Sequence, residues 1–317
     1  MNQLLWVMIV WLTAPLLFAQ PQVEESRLYS SEQEMLRRLP PPEAKVRKEK
    51  KQEEVTESSG DEDIGVQMML KKQEKETPFE ISGSASAFYT SNAELAKEYP
   101  KSDYFWIGQA GAAYLPKITQ TLLGDITIYQ QFFRYDEFKN LDFDSFNVGG
   151  GLTYIAQNLW EIAFFARYNF NRLTHAHESS DGPQHSEFFK THSITAGLQK
   201  IFQINRAQYW YVGQMSQINM ADPVSSQRND YSLFTGYNLA LTRNVDVQCM
   251  YRAAYVCYAN DEREDINQSV SAGVSYKPFE WATLSASGSL GLNNSNQPAN
   301  NYDVVNAGLG LNLKYKF

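Results

Sequence analysis

The last thirteen residues, Val305 to Phe317, alternate without a break. Val305, Ala307, Leu309, Leu311, Leu313, Tyr315 and Phe317 are apolar, and Asn306, Gly308, Gly310, Asn312, Lys314 and Lys316 stand between them. Successive side chains of a strand point to opposite faces, so a period of two over this length is a strand with one greasy face and one wet face. A strand in a soluble sandwich rarely needs so many alternating positions. The pattern points to a sheet with water on one side and a thick apolar medium on the other.

From Phe79 onward the same texture recurs between polar clusters and predicts twelve strands: 79–90, 103–115, 120–133, 144–156, 160–172, 188–200, 206–217, 230–242, 244–257, 268–277, 281–292 and 303–317. The connections alternate in length. Short ones (Pro116 to Ile118, Gln157 to Leu159, Arg243, Pro278 to Glu280) take turns with long polar ones at 91–102, 173–187, 218–229 and 293–302. That is the pattern of a transmembrane barrel with turns at one rim and loops at the other. Phe79, Ile81, Ala85, Ala87 and Tyr89 share one parity on the first strand, as do Phe146, Val148, Leu152 and Tyr154 on the fourth, and Ala282, Leu284, Ala286, Leu290 and Leu292 on the eleventh. Such a sheet has to close, because open edges in lipid leave backbone groups unpaired. The predicted fold class is all-β: a closed antiparallel up-and-down transmembrane β-barrel of about 12 strands over residues 79–317.

The aromatic residues agree. Of 6 Trp, 19 Tyr and 18 Phe, only Trp6, Trp11, Phe18 and Tyr29 precede residue 79. Trp160, Phe279, Trp281, Tyr154, Tyr276 and Phe317 fall near the short turns, and Tyr89, Tyr168, Phe170, Tyr231 and Tyr255 toward the long loops. Two belts of amphipathic rings are expected at the two water interfaces of a spanning barrel.

The terminal strand resembles the C-terminal strand of bacterial outer-membrane β-barrels, which typically ends in Phe and is recognised by the barrel-assembly machinery. On that resemblance Tyr315 and Phe317 form the assembly signal. It implies a place in the cell outer membrane of a Gram-negative-type cell, with both barrel termini periplasmic. Outer-membrane lipid, lipopolysaccharide and the assembly machinery are the implied partners. No diagnostic motif names one porin family.

Residues Leu4 to Ala19 form an apolar run too short to span comfortably and placed as a secretory signal, so 1–19 is expected to be a signal peptide cleaved after Ala19. Residues 20–78 are a charged leader, with the breakers Pro40, Pro41 and Pro42 and too little apolar content to bury a core. A mostly disordered periplasmic linker is expected, with short helices over Ser31 to Leu39 and Asp61 to Glu76; the alternative is that the second helix plugs the lumen. Cys249 and Cys257 lie on one strand, about 26 Å apart at 3.3 Å per residue, too far to pair. A net charge of -8 and the lack of a basic patch disfavour nucleic acid.

Inward parity selects Asp125, Glu161, Arg167, Asp246 and Arg252 as pore-lining candidates, since ionisable residues in membrane segments face the lumen, pair, or line a pathway. Their spacing suggests an acidic tier near the short turns with a basic tier above it, suited to selecting solutes by sign. The alternative is a set of salt bridges that fills the barrel. His175, His177 and His185 share one loop and are weak metal candidates. Twelve-stranded barrels include a phospholipase with a His-x-Ser pair on its outer wall. Here the only such pair, His177 and Ser179, is in a loop, and His192 and Ser193 face opposite sides, so no enzyme and no cofactor are expected. The expected function is a passive or weakly selective channel for small hydrophilic solutes. The alternatives are a structural or adhesive barrel with a filled lumen and an autotransporter-like translocator.

Overall fold

The computed structural model describes residues 22–23, 77–179, 182–184 and 186–317, without the side chains of 177–185. The expected signal peptide and leader helices therefore lie outside the described residues. The strands are β1 (Phe79–Thr90), β2 (Asp103–Tyr114), β3 (Leu122–Tyr135), β4 (Phe143–Ala156), β5 (Ile162–His175), β6 (His177–Ser179), β7 (Gly182–Gln184), β8 (Glu187–Gln203), β9 (Gln208–Asp222), β10 (Arg228–Ala240), β11 (Val245–Tyr258), β12 (Glu264–Phe279), β13 (Ala282–Ser295) and β14 (Tyr302–Lys316). β6 and β7 pair as a small hairpin in the longest loop, and the other twelve close into one antiparallel barrel.

Closure is made by the first and last strands. β1 and β14 pair in unbroken register from Glu80 opposite Lys316 to Thr90 opposite Asn306. The ladder runs to the chain's last residue: the Phe317 amide donates to the Phe79 carbonyl at 3.0 Å, and the Phe79 amide donates to Phe317 at 3.3 Å. The Phe317 ring stacks on Phe79 at 5.8 Å between centroids, and Phe79 in turn meets Tyr114 on β2 at 4.7 Å. The terminal aromatic thus fastens the seam from outside while the backbone fastens it from within.

The alternation sorts as expected. Leu309, Leu311, Leu313 and Tyr315 stand exposed on the outer wall, as do Phe79 and Ile81, Leu152 and Tyr154, and Leu284 and Leu290, while Glu80, Ser82, Asn147 and Asn293 are buried inside. So much exposed apolar surface would be a liability in water and is a requirement in lipid. The aromatic belts also pair up, with Phe202 against Trp210 and Phe279 against Trp281 near the short turns, and Tyr89 against Tyr104 near the long loops.

Several strands run further toward the long loops than alternation predicts. β5 continues to His175 and β9 to Asp222, and β12 begins at Glu264. Beyond the apolar band both faces meet water, so the hydrogen-bond ladder persists where the two-sided pattern fades. At the other rim β5 starts two residues later than expected, because Trp160 and Glu161 take left-handed φ of 53° and 59° in the turn.

Leu309→Arg places a charge on the exposed wall mid-strand and is expected to cost about 2–4 kcal/mol of folding free energy in bilayers. Asn306→Arg, which points inward, is expected to cost little; equal losses in urea titrations of the two would show that the faces are misassigned.

Candidate functional site in the lumen

Arg167 and Asp125 are brought together by an absence of side chain. Asp125 on β3 lies opposite Gly151 on β4, and Gly151 lies opposite Arg167 on β5, so the three form one row across the wall. With strands about 4.8 Å apart, the two charged residues are about 10 Å apart along that row. The guanidinium crosses β4 and hydrogen-bonds both the Asp125 carboxylate and the Thr127 hydroxyl. A Cβ at Gly149 would lie 2.8 Å from Arg167 Nη2, and one at Gly151 would lie 2.9 Å from Asp125 Oδ1. The glycine triplet Gly149 to Gly151 is the signal in the sequence that marks this crossing.

The other candidates fare differently. Asp246 faces inward near the short turns and pairs with Lys277 of the neighbouring β12 at 2.6 Å. Arg252 is buried against the wall, its Nη1 donating to Asn267 Oδ1 at 3.3 Å and its Nη2 to Ser232 Oγ at 3.1 Å. Glu161 does not line the lumen: it is exposed in the turn before β5, outside any strand. Separate acidic and basic tiers are not what the geometry gives, since Asp125 and Asp246 each hold a cation in place.

Sequence reasoning missed three further lumen pairs. Lys314 meets Glu80 across the seam at 3.1 Å, Arg228 meets Asp230 at 3.0 Å, and Arg263 holds Asp265 through both Nε and Nη2. Tyr258 lies beside the last two arginines, 4.3 Å from Arg263 and 5.9 Å from Arg228. The pairs of Asp125 with Arg167, Asp246 with Lys277, Glu80 with Lys314 and Arg228 with Asp230 join residues on one strand, on adjacent strands, or across a single glycine-bearing strand. These pairs lie along the wall and do not cross the lumen. A chain of amides continues the wall lining: Gln131 donates to Gln109 at 3.0 Å, and Asn171 donates to Asn147 at 2.8 Å.

Inward aromatics also lie against the wall, each over a glycine of the neighbouring strand. Tyr129 covers Gly111, Phe165 covers Gly197, Phe234 covers Gly213, Tyr211 covers Gly236 and Phe88 covers Gly308; a Cβ at any of these glycines would meet the ring at 2.6 Å or less. Gly308 is thus not a bare stretch of wall, although its strand neighbours Gly310 and Asn312 face only small or polar groups on β1 and β13. The small-residue wall comprises Ser84 and Ser86 on β1, Ser285 and Ser287 on β13, and Gly310 on β14.

The long-loop end is different. Phe105, Ile107, Phe133, Tyr135, Phe143, Leu173 and Phe189 are buried there in one apolar cluster with Leu141 of the loop between β3 and β4. That loop is latched by carboxylates. Asp103 accepts the Glu137 amide at 3.1 Å and the Phe138 amide at 3.0 Å, and Asp142 accepts the Tyr135 amide at 2.7 Å. The loop after β1 is tied down by Asn92, whose amide donates to Ala96 at 2.7 Å and to Asp303 at 2.9 Å.

Of the histidines, His175 stacks on Phe188 at 4.1 Å, while the side chains of His177 and His185 lie outside the described residues. The described residues contain no group of three metal-ligating side chains. His192 faces outward beside the Tyr168 hydroxyl at 2.6 Å, whereas Ser193 faces inward and donates to the Asn169 carbonyl.

No family model matches the chain, and no curated protein matches it. Among solved structures it is similar to the COG4313 outer membrane channel from Pseudomonas putida F1, at 9% identity over 80% of this chain and 100% of that one, with a TM-score of 0.51. The outer membrane channel DcaP of Acinetobacter baumannii follows at 8% identity over 75% and 96% of the two chains, TM-score 0.43. The translocator domain of autotransporter NalP from Neisseria meningitidis gives 8% over 77% and 90%, TM-score 0.42. The likeness is one of fold: the chain is a closed twelve-stranded barrel of the outer-membrane kind.

Gly149→Ala pushes only on side chains, Asn169 and Arg167. It is expected to destabilise the barrel, with a coupling of about 1 kcal/mol or more to Arg167→Ala in a double-mutant cycle. Gly150→Ala, whose Cβ meets nothing closer than 3.4 Å, is the near-neutral control.

Proposed function

We propose that the chain is an outer-membrane channel that passes small hydrophilic solutes by passive, weakly selective diffusion. The observation that carries this reading is that three lumenal ion pairs, Arg167 with Asp125, Lys277 with Asp246 and Lys314 with Glu80, each lie along the wall between strands no more than two apart. The Ser, Gly and Asn wall of β12 to β14 and β1 adds hydrogen-bonding groups without bulk. The Pseudomonas putida protein, which shares the fold, is an outer membrane channel.

In this reading the short turns and both barrel termini are periplasmic and the long loops face outward, among lipopolysaccharide. Tyr315 and Phe317 present the strand to the assembly machinery before they close the seam. Asp125, Arg167, Asp246 and Arg252 line the path. A structural barrel with a filled lumen is favoured by one observation, the apolar cluster under the long loops.

Planar-bilayer recording decides between them. Folded protein is expected to give stepwise conductance, and no current from either the full chain or a variant lacking residues 20–40 would sink the channel. Under a salt gradient, Arg167→Gln exposes the Asp125 carboxylate and is expected to shift the reversal potential toward cations. Asp125→Asn leaves the guanidinium and is expected to shift it toward anions.

A further inference from the structure

The outer wall has a basic sector at its long-loop end. Arg172 on β5 and Lys190 on β8 are direct partners across the sheet, and both share the outward parity of Phe170 and His192, the next outward pair below them. At the same end of five other strands the outward residues are uncharged: Tyr89 on β1, Tyr104 on β2, Tyr231 on β10, Tyr255 on β11 and Ile266 on β12, all exposed. Arg134 on β3 also turns outward, but its guanidinium is committed to the carbonyls of Phe133 and Phe143 and to Asp144.

Like charges directly opposite one another on a sheet repel. Lys190 is offset by Asp222 of β9 at 3.1 Å and by Glu187 at 3.4 Å, exposed pairs of the kind that contribute little and exchange readily. Arg172 forms no ion pair among the described residues; it is exposed, and its guanidinium lies over the Phe146 ring at 5.8 Å. Two cations side by side, one of them without a counter-charge, fit an anion that bridges them.

The wall beneath says what carries the anion. His192 Nδ1 and the Tyr168 hydroxyl are 2.6 Å apart, facing outward, in the belt where amphipathic rings meet headgroups. One step further into the apolar band Ala166 and Ala196 are opposite one another and exposed, between the rings of Phe164 and Tyr168 along β5, and leave a shallow furrow. Charge, then hydrogen-bonding groups, then a bare apolar furrow is the order of phosphate, ester and acyl chain in a lipid; a free phosphate would use only the first step. A phosphomonoester carries close to two negative charges at neutral pH and so matches both cations, whereas the phosphodiester of an ordinary phospholipid carries one.

We propose that this wall binds one phosphorylated lipid of the outer leaflet, the lipid anchor of lipopolysaccharide, with its phosphomonoester between Arg172 and Lys190 and an acyl chain along Ala166 and Ala196. The site rests on the orientation given above, with the long loops outward, and not on conductance.

Native mass spectrometry of the folded full chain in detergent reads the bound lipid directly. The parent is expected to retain a single copy of the lipid anchor, and Arg172→Gln with Lys190→Gln to retain it on the order of tenfold less. Arg172→Lys alone is expected to keep most of the binding. Lys200→Gln, which removes an outward cation at the opposite rim beside Phe202, is expected to match the parent. Equal retention by the parent and the double variant, or equal retention of the anchor after its phosphates are removed, overturns the site. Retention of phosphatidylglycerol as strong as that of the anchor overturns the choice of lipid. For the orientation, Glu262→Cys in the β11–β12 loop, with Cys249 and Cys257 replaced by Ser, is expected to react with a membrane-impermeant maleimide in intact cells. Labelling only after the outer membrane is opened overturns the orientation and the outer-leaflet lipid with it. Labelling from outside with no phosphate-dependent retention overturns the lipid site and leaves the orientation standing.

Discussion

A polypeptide in hydrocarbon has no water to which its amides and carbonyls can turn, and everything else in this structure depends on that. The twelve strands have to satisfy one another, so the first and last must meet. They do so over the full length of β1, and the final hydrogen bonds belong to the last residue of the chain. Once the ladder is closed, the outer side chains can contribute only apolar surface and interfacial rings. Polar and charged groups within the apolar band are left with one place to go, the lumen.

This constraint is why so much of the architecture can be read from the residues. The period of two, the alternation of short and long connections and the banding of aromatics each follow from lipid on one side of the wall, and together they locate all twelve strands. What cannot be read has physical causes. The ladder continues above the apolar band where nothing enforces alternation, so β5, β9 and β12 extend into segments that look like loops. Glu161 has inward parity only if the strand includes it, and the left-handed backbone at Trp160 and Glu161 ends that register. Arg167 and Asp125 are 42 positions apart; their row becomes visible only once β4 is seen to carry glycine between them. Nothing in a charged leader distinguishes Val23 from its neighbours, yet it packs in the apolar cluster under the long loops.

The lumen follows a consistent economy. The Arg167 guanidinium crosses glycines, those of Arg228 and Arg263 lie beside Tyr258, that of Arg252 donates to neighbouring strands, amides chain along the wall, and five inward rings occupy notches where the next strand has no side chain. Each arrangement satisfies a polar or bulky group using the wall itself. The apolar cluster beneath the long loops is the exception, where side chains from β2 to β5, β8 and β9 converge with a loop latched by Asp103.

The notched rings have a consequence for how such a barrel diversifies. Internal width is set coarsely by strand number and shear, which change only when whole hairpins are gained or lost. The rings seated over Gly111, Gly197, Gly213, Gly236 and Gly308 provide a finer adjustment. A methyl group at any of these glycines would meet both the ring and a backbone carbonyl of a neighbouring strand at 2.8 Å or less, so the glycines hold the strand spacing while the rings above them are free to differ. A lineage carrying this scaffold can therefore vary its molecular sieve by exchanging one ring at a time, at chosen points around the circumference, while the glycines beneath, the number of strands and the seam that closes them stay the same.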